Sequence, residues 1–365
     1  MHLKKIIACL FLGVFLSSCL NWSNDWSQNY GDSANTSFSP KAGPAEIENL
    51  KWTFNPDGSI ITNPVISDGI IYVGDQKNII YAIDENSGNI IWKYDGKADL
   101  RSVANLAISN GILFCGYDDE LVAIDAKTGQ IKWKTEISGS ISASIMTYNN
   151  LVVVGSYSDF ISAFNTTSGK LEWEIDAEGT YFQNKPAIKE DVLYYASHQN
   201  FVRAIDLKSQ SVAWKTENFR TNTSPSVGES SVYFAFNLTG SVYAVDRETG
   251  REKWRAQLAD MLAISTPSIG QENIFVSGRD GFLYSINKNT GQLAWKFNTG
   301  SSISTSPIIT KNTVYVGNSD GKFVAIEIET GEEIWSFETN GAIQNNPSMA
   351  NGTIYIPSDF LYAIE

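Results

Sequence analysis

The sequence predicts an all-β fold, an eight-bladed β-propeller in which the N-terminal strand closes the last blade. Three observations predict it: tryptophan recurs at a fixed spacing, four strand-like stretches fill each repeat, and the two ends of the chain carry complementary parts of one repeat. Self-similarity at a period of about 40 residues is typical of propellers and solenoids. The tryptophans of the series, each 40 or 41 residues from the next, are Trp52, Trp92, Trp133, Trp173, Trp214, Trp254, Trp295 and Trp335.

Each repeat begins with a short stretch that carries proline in most copies, such as residues 61–67. Because proline cannot donate a hydrogen bond to a neighbouring strand, we expect an edge strand here, innermost around the axis. The second stretch, such as residues 70–74, is almost continuously apolar, as expected for a strand buried between blades. The third stretch, such as residues 80–84, leads into a turn with glycine, and the fourth stretch contains the tryptophan.

The two ends of the chain complete each other. Residues 50–54 form a tryptophan strand with no blade before it, and residues 361–365 form a third strand with no tryptophan strand after it. We expect these two strands to pair, because closing the ring removes the open sheet edges that a linear stack would expose. The propeller is therefore predicted to span residues 49–365.

The turn before each tryptophan follows one pattern, seen as Asp84, Gly88 and Trp92 in the first full repeat. The carboxylate can accept backbone N–H groups of the turn, and the glycine supplies its left-handed residue. The indole is large enough to reach the next blade. We interpret the motif as structural docking between blades; the alternative is a cofactor-binding motif.

Residues 1–18 have the pattern of a secretory signal peptide, since two lysines precede an apolar run that is too short to span a bilayer. The run ends in Leu16-Ser17-Ser18-Cys19, which resembles the lipobox of bacterial lipoproteins. The resemblance implies lipid attachment at Cys19, with residues 19–48 as a tether or leader. It also implies an outer-membrane location, facing the periplasm or the cell surface, because Leu20 and not Asp follows the cysteine. The alternative is an ordinary secretory signal with an incidental cysteine.

Composition excludes several classes of function. The formal net charge is −13, the wrong sign for a protein that neutralises a phosphate backbone, so we predict no nucleic-acid partner. Without residues 1–18, Cys115 is the one thiol not assigned to lipid and His198 the one imidazole. A histidine-rich metal site is excluded. We predict no metal, no cofactor and no catalytic residue.

The starts of the inner strands are polar, and eight of them around one axis would line a hydrated channel with hydroxyl and amide groups. Larger side chains in this region suggest a site for a carboxylate, a sugar or a peptide terminus. The alternative is that small polar residues simply fill a narrow channel. The candidate ligand-binding residues are Arg101, Tyr181, Gln183, Lys185, Arg220 and Gln344.

The repeat pattern A-x-D-x-x-T-G-x-x-x-W resembles the tryptophan-docking repeat of the pyrroloquinoline-quinone (PQQ) β-propeller superfamily over residues 50–365. The segment from Trp26 to Pro40 is similar to the leader before the first blade of quinoprotein-like repeat proteins. The enzymatic branch of this superfamily is longer and holds PQQ and calcium beneath a disulfide between adjacent cysteines. No adjacent cysteines occur in this sequence.

The compact branch, the BamB-type outer-membrane assembly lipoproteins, is similar in blade number, lipobox and acidic charge. This resemblance implies a membrane-anchored, non-enzymatic scaffold that binds protein. Its expected partners are the barrel-assembly subunit and nascent outer-membrane proteins. The alternatives are a PQQ-dependent quinoprotein dehydrogenase and a surface propeller that binds a small ligand or a polysaccharide.

Overall fold

A computed structural model describes residues 25–47, 50–96, 103–141, 145–157, 160–178, 184–197, 201–217, 219, 221, 223–236, 239–258 and 265–365. Its regular elements are all strands, and they form eight antiparallel sheets of four strands each. The predicted all-β, eight-bladed propeller is therefore confirmed.

In seven sheets the strands run from the axis outward in chain order, and in the eighth β30, β31 and β32 do so with β1 outside them. The first, innermost strands are β2 (Val65–Ser67), β6 (Ala107–Ser109), β10 (Met146–Tyr148), β14 (Ala187–Lys189), β18 (Ser226–Val227), β22 (Ser268–Ile269), β26 (Ile308–Ile309) and β30 (Ser348–Ala350). The second strands are β3 (Ile70–Gly74), β7 (Ile112–Tyr117), β11 (Leu151–Gly155), β15 (Val192–Ser197), β19 (Ser231–Phe236), β23 (Asn273–Ser277), β27 (Thr313–Gly317) and β31 (Thr353–Pro357).

The third strands are β4 (Ile79–Asp84), β8 (Glu120–Asp125), β12 (Phe160–Asn165), β16 (Phe201–Asp206), β20 (Ser241–Asp246), β24 (Phe282–Asn287), β28 (Lys322–Glu327) and β32 (Leu361–Ile364). The fourth, outermost strands are β5 (Ile90–Asp95), β9 (Ile131–Glu136), β13 (Leu171–Asp176), β17 (Ser211–Lys215), β21 (Glu252–Gln257), β25 (Leu293–Asn298), β29 (Glu333–Glu338) and β1 (Leu50–Phe54). We number the blades 1 to 8 from β2 onward, so that β30, β31, β32 and β1 form blade 8.

Burial follows position in the blade. The second and third strands are buried along most of their length, whereas the fourth strands are mostly exposed or half-buried, with the tryptophan buried in some of them. The inner strands contain only two or three residues, and where a proline is present it lies immediately before the strand, as Pro64 does before β2. Proline thus ends the irregular segment that leads to the inner strand, and the sheet loses no N–H donor because the proline lies outside the strand.

The ring closes as predicted. β1 pairs antiparallel with β32, with Thr53 opposite Tyr362 and Phe54 opposite Leu361. Phe54 is buried and contacts Tyr81 of blade 1 edge to face at 5.1 Å, so the closing strand also packs against the next blade. The core is continuous across the junction of the chain's two ends.

Tryptophan side chains join successive blades. In seven of the eight, the indole Nε1 donates to a backbone carbonyl of the following blade or of the leader at 2.8–3.1 Å. For Trp335, the last of the series, the acceptor is not a docking turn but Pro44 O, eight residues before Trp52. The segment before β1 therefore supplies the acceptor that a complete eighth repeat would supply, and the circle of docked tryptophans closes too.

The docking turn can be seen at residues Asp125 to Gly129, which receive Trp92. The Asp125 carboxylate accepts the Thr128 hydroxyl and backbone N–H at 2.9 and 3.0 Å, and the hydroxyl bond is the main reason that the pKa of Asp125 lies below its usual range. Trp92 Nε1 donates to Ala126 O at 2.8 Å. Gly129 has a φ of 73°, and a Cβ there would lie 2.8 Å from Trp92 Cδ2.

We expect the substitution Gly129→Ala to destabilise the propeller more than Gly111→Ala does. Both glycines have positive φ, near 70°, but a Cβ on Gly111 meets nothing within 4 Å. The two variants therefore share a backbone cost of about 1–2 kcal/mol, and only Gly129→Ala adds a clash with the indole, worth about 1–3 kcal/mol. Urea denaturation measures the difference; equal losses would show that the indole moves away freely.

Blades 8 and 1 are also joined by a buried carboxylate. Glu85, at the start of the blade 1 turn, is 5% exposed, and its Oε1 accepts bonds from Asn351 Nδ2 at 3.0 Å and Tyr355 Oη at 3.1 Å. Its backbone carbonyl accepts the Trp52 indole at 3.1 Å. Burial is the main reason that the pKa of Tyr355 is raised, which keeps the phenol a donor to this carboxylate. One residue thus binds three groups of blade 8.

Candidate functional site

The leader crosses the propeller axis and bonds to the inner strands one after another. The second residue of each inner strand directs its N–H away from its own sheet, and in six blades a leader carbonyl accepts that N–H at 2.7–2.9 Å. The donor and acceptor pairs are Ile66 with Trp26, Ile108 with Ser27, Ile188 with Ser33, Val227 with Ala34, Ile269 with Thr36, and Ile309 with Ser37. In blade 3 the Thr147 N–H donates to the side-chain Oε1 of Gln28 at 3.1 Å.

Blade 8 is the exception among the described residues. Met349 holds the same place in β30 that Ile66 holds in β2, as the strand registers show. Its N–H and C=O accordingly point to the axis, where no described residue bonds to them. The leader therefore encircles the axis from blade 1 to blade 7 and leaves the inner edge of blade 8 open.

A cavity of about 610 Å³ lies over this open edge. β30 and the turn after it line one side of the cavity, the ends of β2, β6 and β10 line another, and the leader lines the rest, with Trp26 near its start and Pro40 near its end. Asp25, Asp32 and Lys41 are the charged side chains of the lining, and Trp26, Phe38, Ile108, Tyr148 and Met349 are its large apolar ones. We call this cavity the bowl.

On the opposite side of the leader, polar side chains bond blade to blade around the channel. Asn63 N donates to Asn105 Oδ1 at 2.9 Å, and Asn346 N donates to Asn63 Oδ1 at 2.6 Å. Ser306 N donates to Asn346 Oδ1 at 2.7 Å in the same way. A second set of bonds runs from serine hydroxyls to the carbonyls of the prolines of the next blade, including Ser348 Oγ to Pro64 O at 2.5 Å. These polar residues stabilise the ring at its narrowest point.

The channel above the leader is a polar cup of about 240 Å³, with Asn29 and Tyr30 at its floor. Four lining side chains make no hydrogen bond to another described residue: Ser304, Ser306, Gln344, and Asn184 through its buried Nδ2. The described lining offers amide and hydroxyl oxygens but no carboxylate, so it lacks the charged oxygen ligand that protein calcium sites ordinarily include. The described residues therefore do not fit the calcium-bound quinone of the enzymatic branch.

Of the six candidate ligand-binding residues from the sequence, the structure describes Lys185 and Gln344. Both line the cup, and Gln344 is exposed at its rim. The Lys185 ammonium is not presented to a ligand: Nζ donates to Asn29 O at 2.7 Å and to Asp32 O at 3.0 Å, within the leader. The other candidates, Arg101, Tyr181, Gln183 and Arg220, lie outside the described residues, as do the lipidation candidate Cys19 and His198.

Lys185 is a buried anchor of the leader, with 1% of its surface exposed. Burial lowers its pKa to about 7. An unfolded lysine titrates near 10.4, so between pH 7 and pH 10 the unfolded state binds more protons than the folded state. The free energy of unfolding must therefore rise with pH over this window. Below pH 7 Lys185 is protonated in both the folded and the unfolded state, so its contribution to the free energy of unfolding no longer changes with pH.

We expect the unfolding free energy of the wild-type chain, minus that of a Lys185→Met variant, to increase by about 1–3 kcal/mol from pH 7 to pH 10. Methionine cannot titrate, so the subtraction removes every other ionisable group. The exposed Lys127→Met variant controls for the loss of one positive charge. A wild-type minus Lys185→Met difference that falls or stays flat over this window would show that the amine keeps its proton when folded.

Sequence reasoning missed how the leader is used. The sequence indicates only a tether or leader over residues 19–48, whereas this segment bonds to seven inner strands. The signal was present: every inner strand was predicted to be an edge strand, so eight rows of backbone donors needed partners. Because residues 25–47 do not repeat, the repeat pattern could not indicate that the leader is the hydrogen-bond partner of the inner strands.

Two further kinds of feature are absent from the described residues. No group of three or more His, Cys, Asp or Glu side chains there is arranged to hold a metal ion. That part of the chain also contains no helix long and apolar enough to cross a membrane. Cys115 is fully buried, and burial raises the pKa of its thiol, so it is a core residue and not a nucleophile.

Comparison with known proteins decides the family. A sequence model for the family described as outer membrane protein assembly factor BamB matches residues 45–216, 140–260 and 238–364, which together take in all eight blades. The chain belongs to the BamB family. The BamB of Shewanella oneidensis is 22% identical over 270 residues, an alignment that covers 73% of this chain and 60% of that protein. The chain thus spans about three fifths of the length of this curated relative.

Solved structures of two kinds share the fold. BamB from Moraxella catarrhalis superposes with a TM-score of 0.73 at 19% identity, covering 87% of this chain and 99% of that one. The quinohemoprotein alcohol dehydrogenase from Comamonas testosteroni superposes with a TM-score of 0.80 at 15% identity, covering 93% of this chain and 80% of that one. At such identities the likeness establishes the propeller, and BamB proteins and dehydrogenases share it.

Proposed function

We propose that this protein is a non-enzymatic scaffold of the bacterial outer membrane, which assists the assembly of β-barrel proteins by binding other proteins. The single observation that carries the proposal is the match of residues 45–364 to the BamB family. The geometry of the axis supports it. The polar side chains at the narrowest point are bonded blade to blade, and the one described cation near the channel is bonded to the leader.

The proposal includes the anchor and the partners. Residues 1–18 are removed, Cys19 carries the lipid, and the protein faces the periplasm or the cell surface. Several acyl chains on one cysteine give stable attachment where one chain would give marginal attachment, since each buried CH₂ contributes about 0.8 kcal/mol. The partners are the barrel-forming subunit of the assembly machinery and nascent outer-membrane proteins.

The test is purification of the tagged full-length chain from detergent-solubilised membranes of its own host. We expect the barrel-forming assembly subunit among the recovered proteins, and lower levels of outer-membrane barrels in cells that lack the chain. A Cys19→Ala variant is expected to leave the membrane fraction. Recovery without the assembly subunit, together with unchanged barrel levels, would contradict the scaffold. A Cys19→Ala variant that still sediments with membranes would contradict lipid anchoring alone.

A second candidate function is recognition of a small neutral molecule in the cup. The observation that favours it is the unpaired Nδ2 of Asn184, beside three further lining side chains without hydrogen-bond partners among the described residues. Amides and hydroxyls both donate and accept, as sugar recognition requires. A melting-temperature shift with neutral monosaccharides, lost in an Asn184→Leu variant, would support it, whereas a shift only with PQQ and calcium would favour the dehydrogenase alternative.

A further inference from the structure

The inner edge of blade 8 is chemically equivalent to the edges that the leader covers. In blades 1 and 7 the leader bonds to both the N–H and the C=O of one inner-strand residue, as an added strand would: Ile66 exchanges bonds of 3.0 and 2.9 Å with Trp26, and Ile309 donates to Ser37 O and accepts from Ser39 N at 2.9 and 2.8 Å. Met349 presents the same two groups with no partner among the described residues.

The leader passes β30 without a backbone hydrogen bond to it, although the Asn29 side chain accepts one from Asn346 Nδ2, just before β30, at 3.0 Å. Pro40 and Lys41 line the bowl beside β30, but no bond joins the leader backbone to Met349. Pro40 has no N–H to donate, so it cannot repeat the bond that Ser39 makes to blade 7. The chain then turns outward to Pro44, which receives the Trp335 indole. The gap between the start and the end of the leader therefore falls on Met349.

The open groups are shielded. Met349 is 2% exposed, and an unpaired buried backbone group costs about 1–3 kcal/mol. The bowl in front of them, about 610 Å³, is of the size of pockets that bind ligands. A carbonyl and an N–H of a bound segment would form hydrogen bonds with the Met349 N–H and C=O and so remove that cost.

We infer that β30 binds an extended segment of a partner polypeptide, which enters the bowl and adds to blade 8 as a short strand. The leader itself is the template, because an extended backbone occupies the equivalent groups of the other blades. Trp26, Phe38 and Met349 offer apolar contacts, and Asp25 and Asp32 outnumber Lys41, so the segment carries apolar side chains with neutral or basic neighbours. Strand addition of this kind takes its affinity from the main chain and its selectivity from alternate side chains. The inference rests on the proposed function only in that the ligand is a polypeptide.

The first test is amide hydrogen exchange of the folded full-length chain, read residue by residue. We expect the amide of Met349 to exchange at least tenfold faster than those of Ile66, Ile188 and Ile309, which the leader covers. An extended decapeptide that alternates valine with threonine or lysine should slow the Met349 amide and leave the other three unchanged. Slow exchange of Met349 without peptide would overturn the inference, because another segment of the chain would then cover it.

The second test separates main-chain binding from side-chain packing. Met349→Pro removes the N–H that points to the axis and leaves the bonds to β31 in place, a position where a strand tolerates proline. Met349→Leu is the matched control, since it keeps the N–H and a side chain of similar size. We expect the affinity for the labelled decapeptide to fall at least tenfold in Met349→Pro and less than threefold in Met349→Leu.

The outcomes distinguish the site from the scaffold. Equal peptide affinities in wild-type, Met349→Pro and Met349→Leu chains would overturn the site while the assembly subunit still co-purifies. If the wild-type chain binds the peptide through Met349 but the assembly subunit does not co-purify with it, the proposed scaffold function is overturned and the proposed binding site stands. If Met349→Pro fails to fold, the exchange measurement on the wild-type chain decides alone.

Discussion

A chain that begins at residue 55 is expected to lose its single cooperative unfolding transition. Without β1, the outer edge of β32 is unpaired, and the buried ring of Phe54 leaves a cavity beside Tyr81. The Trp52 bond to Glu85 and the Trp335 bond to Pro44 disappear as well. Removing one buried phenylalanine costs about 3–5 kcal/mol, and a domain has about 5–15 kcal/mol in total.

Two shorter truncations serve as controls. A chain that begins at residue 25 keeps every described contact and should melt like the full-length chain. A chain that begins at residue 41 loses the leader bonds to the inner strands but keeps Pro44 and β1, so its stability should lie between the two. Calorimetry and the m-value in urea report cooperativity. One sharp transition at an unchanged temperature in the chain that begins at residue 55 would show that ring closure is dispensable.

Most of the fold could be predicted from the periodicity of the sequence. Because every blade repeats the same turn, pattern counting alone predicted the number of blades, the order of strands and the pairing of Leu50–Phe54 with the C-terminal strand. The docking role of the indoles followed from the spacing of aspartate, glycine and tryptophan. Such inferences succeed because each repeat buries its apolar face only against the next one, so the sequence must keep the same residues at the same offsets.

The site was less accessible to this reasoning. A repeat pattern predicts only the features that all blades share. The leader, the open edge of blade 8 and the Glu85 contact to Tyr355 each occur once, so the pattern does not predict them. Lys185 illustrates the limit: its charge and its place at the start of an inner strand predicted a ligand-binding cation, whereas its ammonium bonds to leader carbonyls. Which residue meets the leader depends on a path that no pattern encodes.

The largest effect of a single substitution is expected at the docked tryptophans, and the chain offers a matched pair. Trp92 is 9% exposed, its Nε1 donates to Ala126 O, and its ring contacts Tyr72 at 5.8 Å. Trp92→Ala should therefore cost about 3–5 kcal/mol of unfolding free energy. The equivalent Trp173 is half-buried, and its Nε1 makes no hydrogen bond to a described residue.

The difference between the two sites has a physical cause in blade 4. Its docking turn has Gln210, with a φ of 53°, where other turns that receive an indole have glycine. At such a glycine the indole lies so close that a Cβ would sit 2.6–2.8 Å away, so Gln210 must hold the Trp173 ring further off. We expect Trp173→Ala to cost less than Trp92→Ala by at least the ~1 kcal/mol of a hydrogen bond. Gln210→Gly should add stability in the presence of Trp173 and not in the Trp173→Ala background. Equal losses at both tryptophans, or a stabilising Gln210→Gly in both backgrounds, would mean that the close approach of indole to glycine contributes nothing to docking.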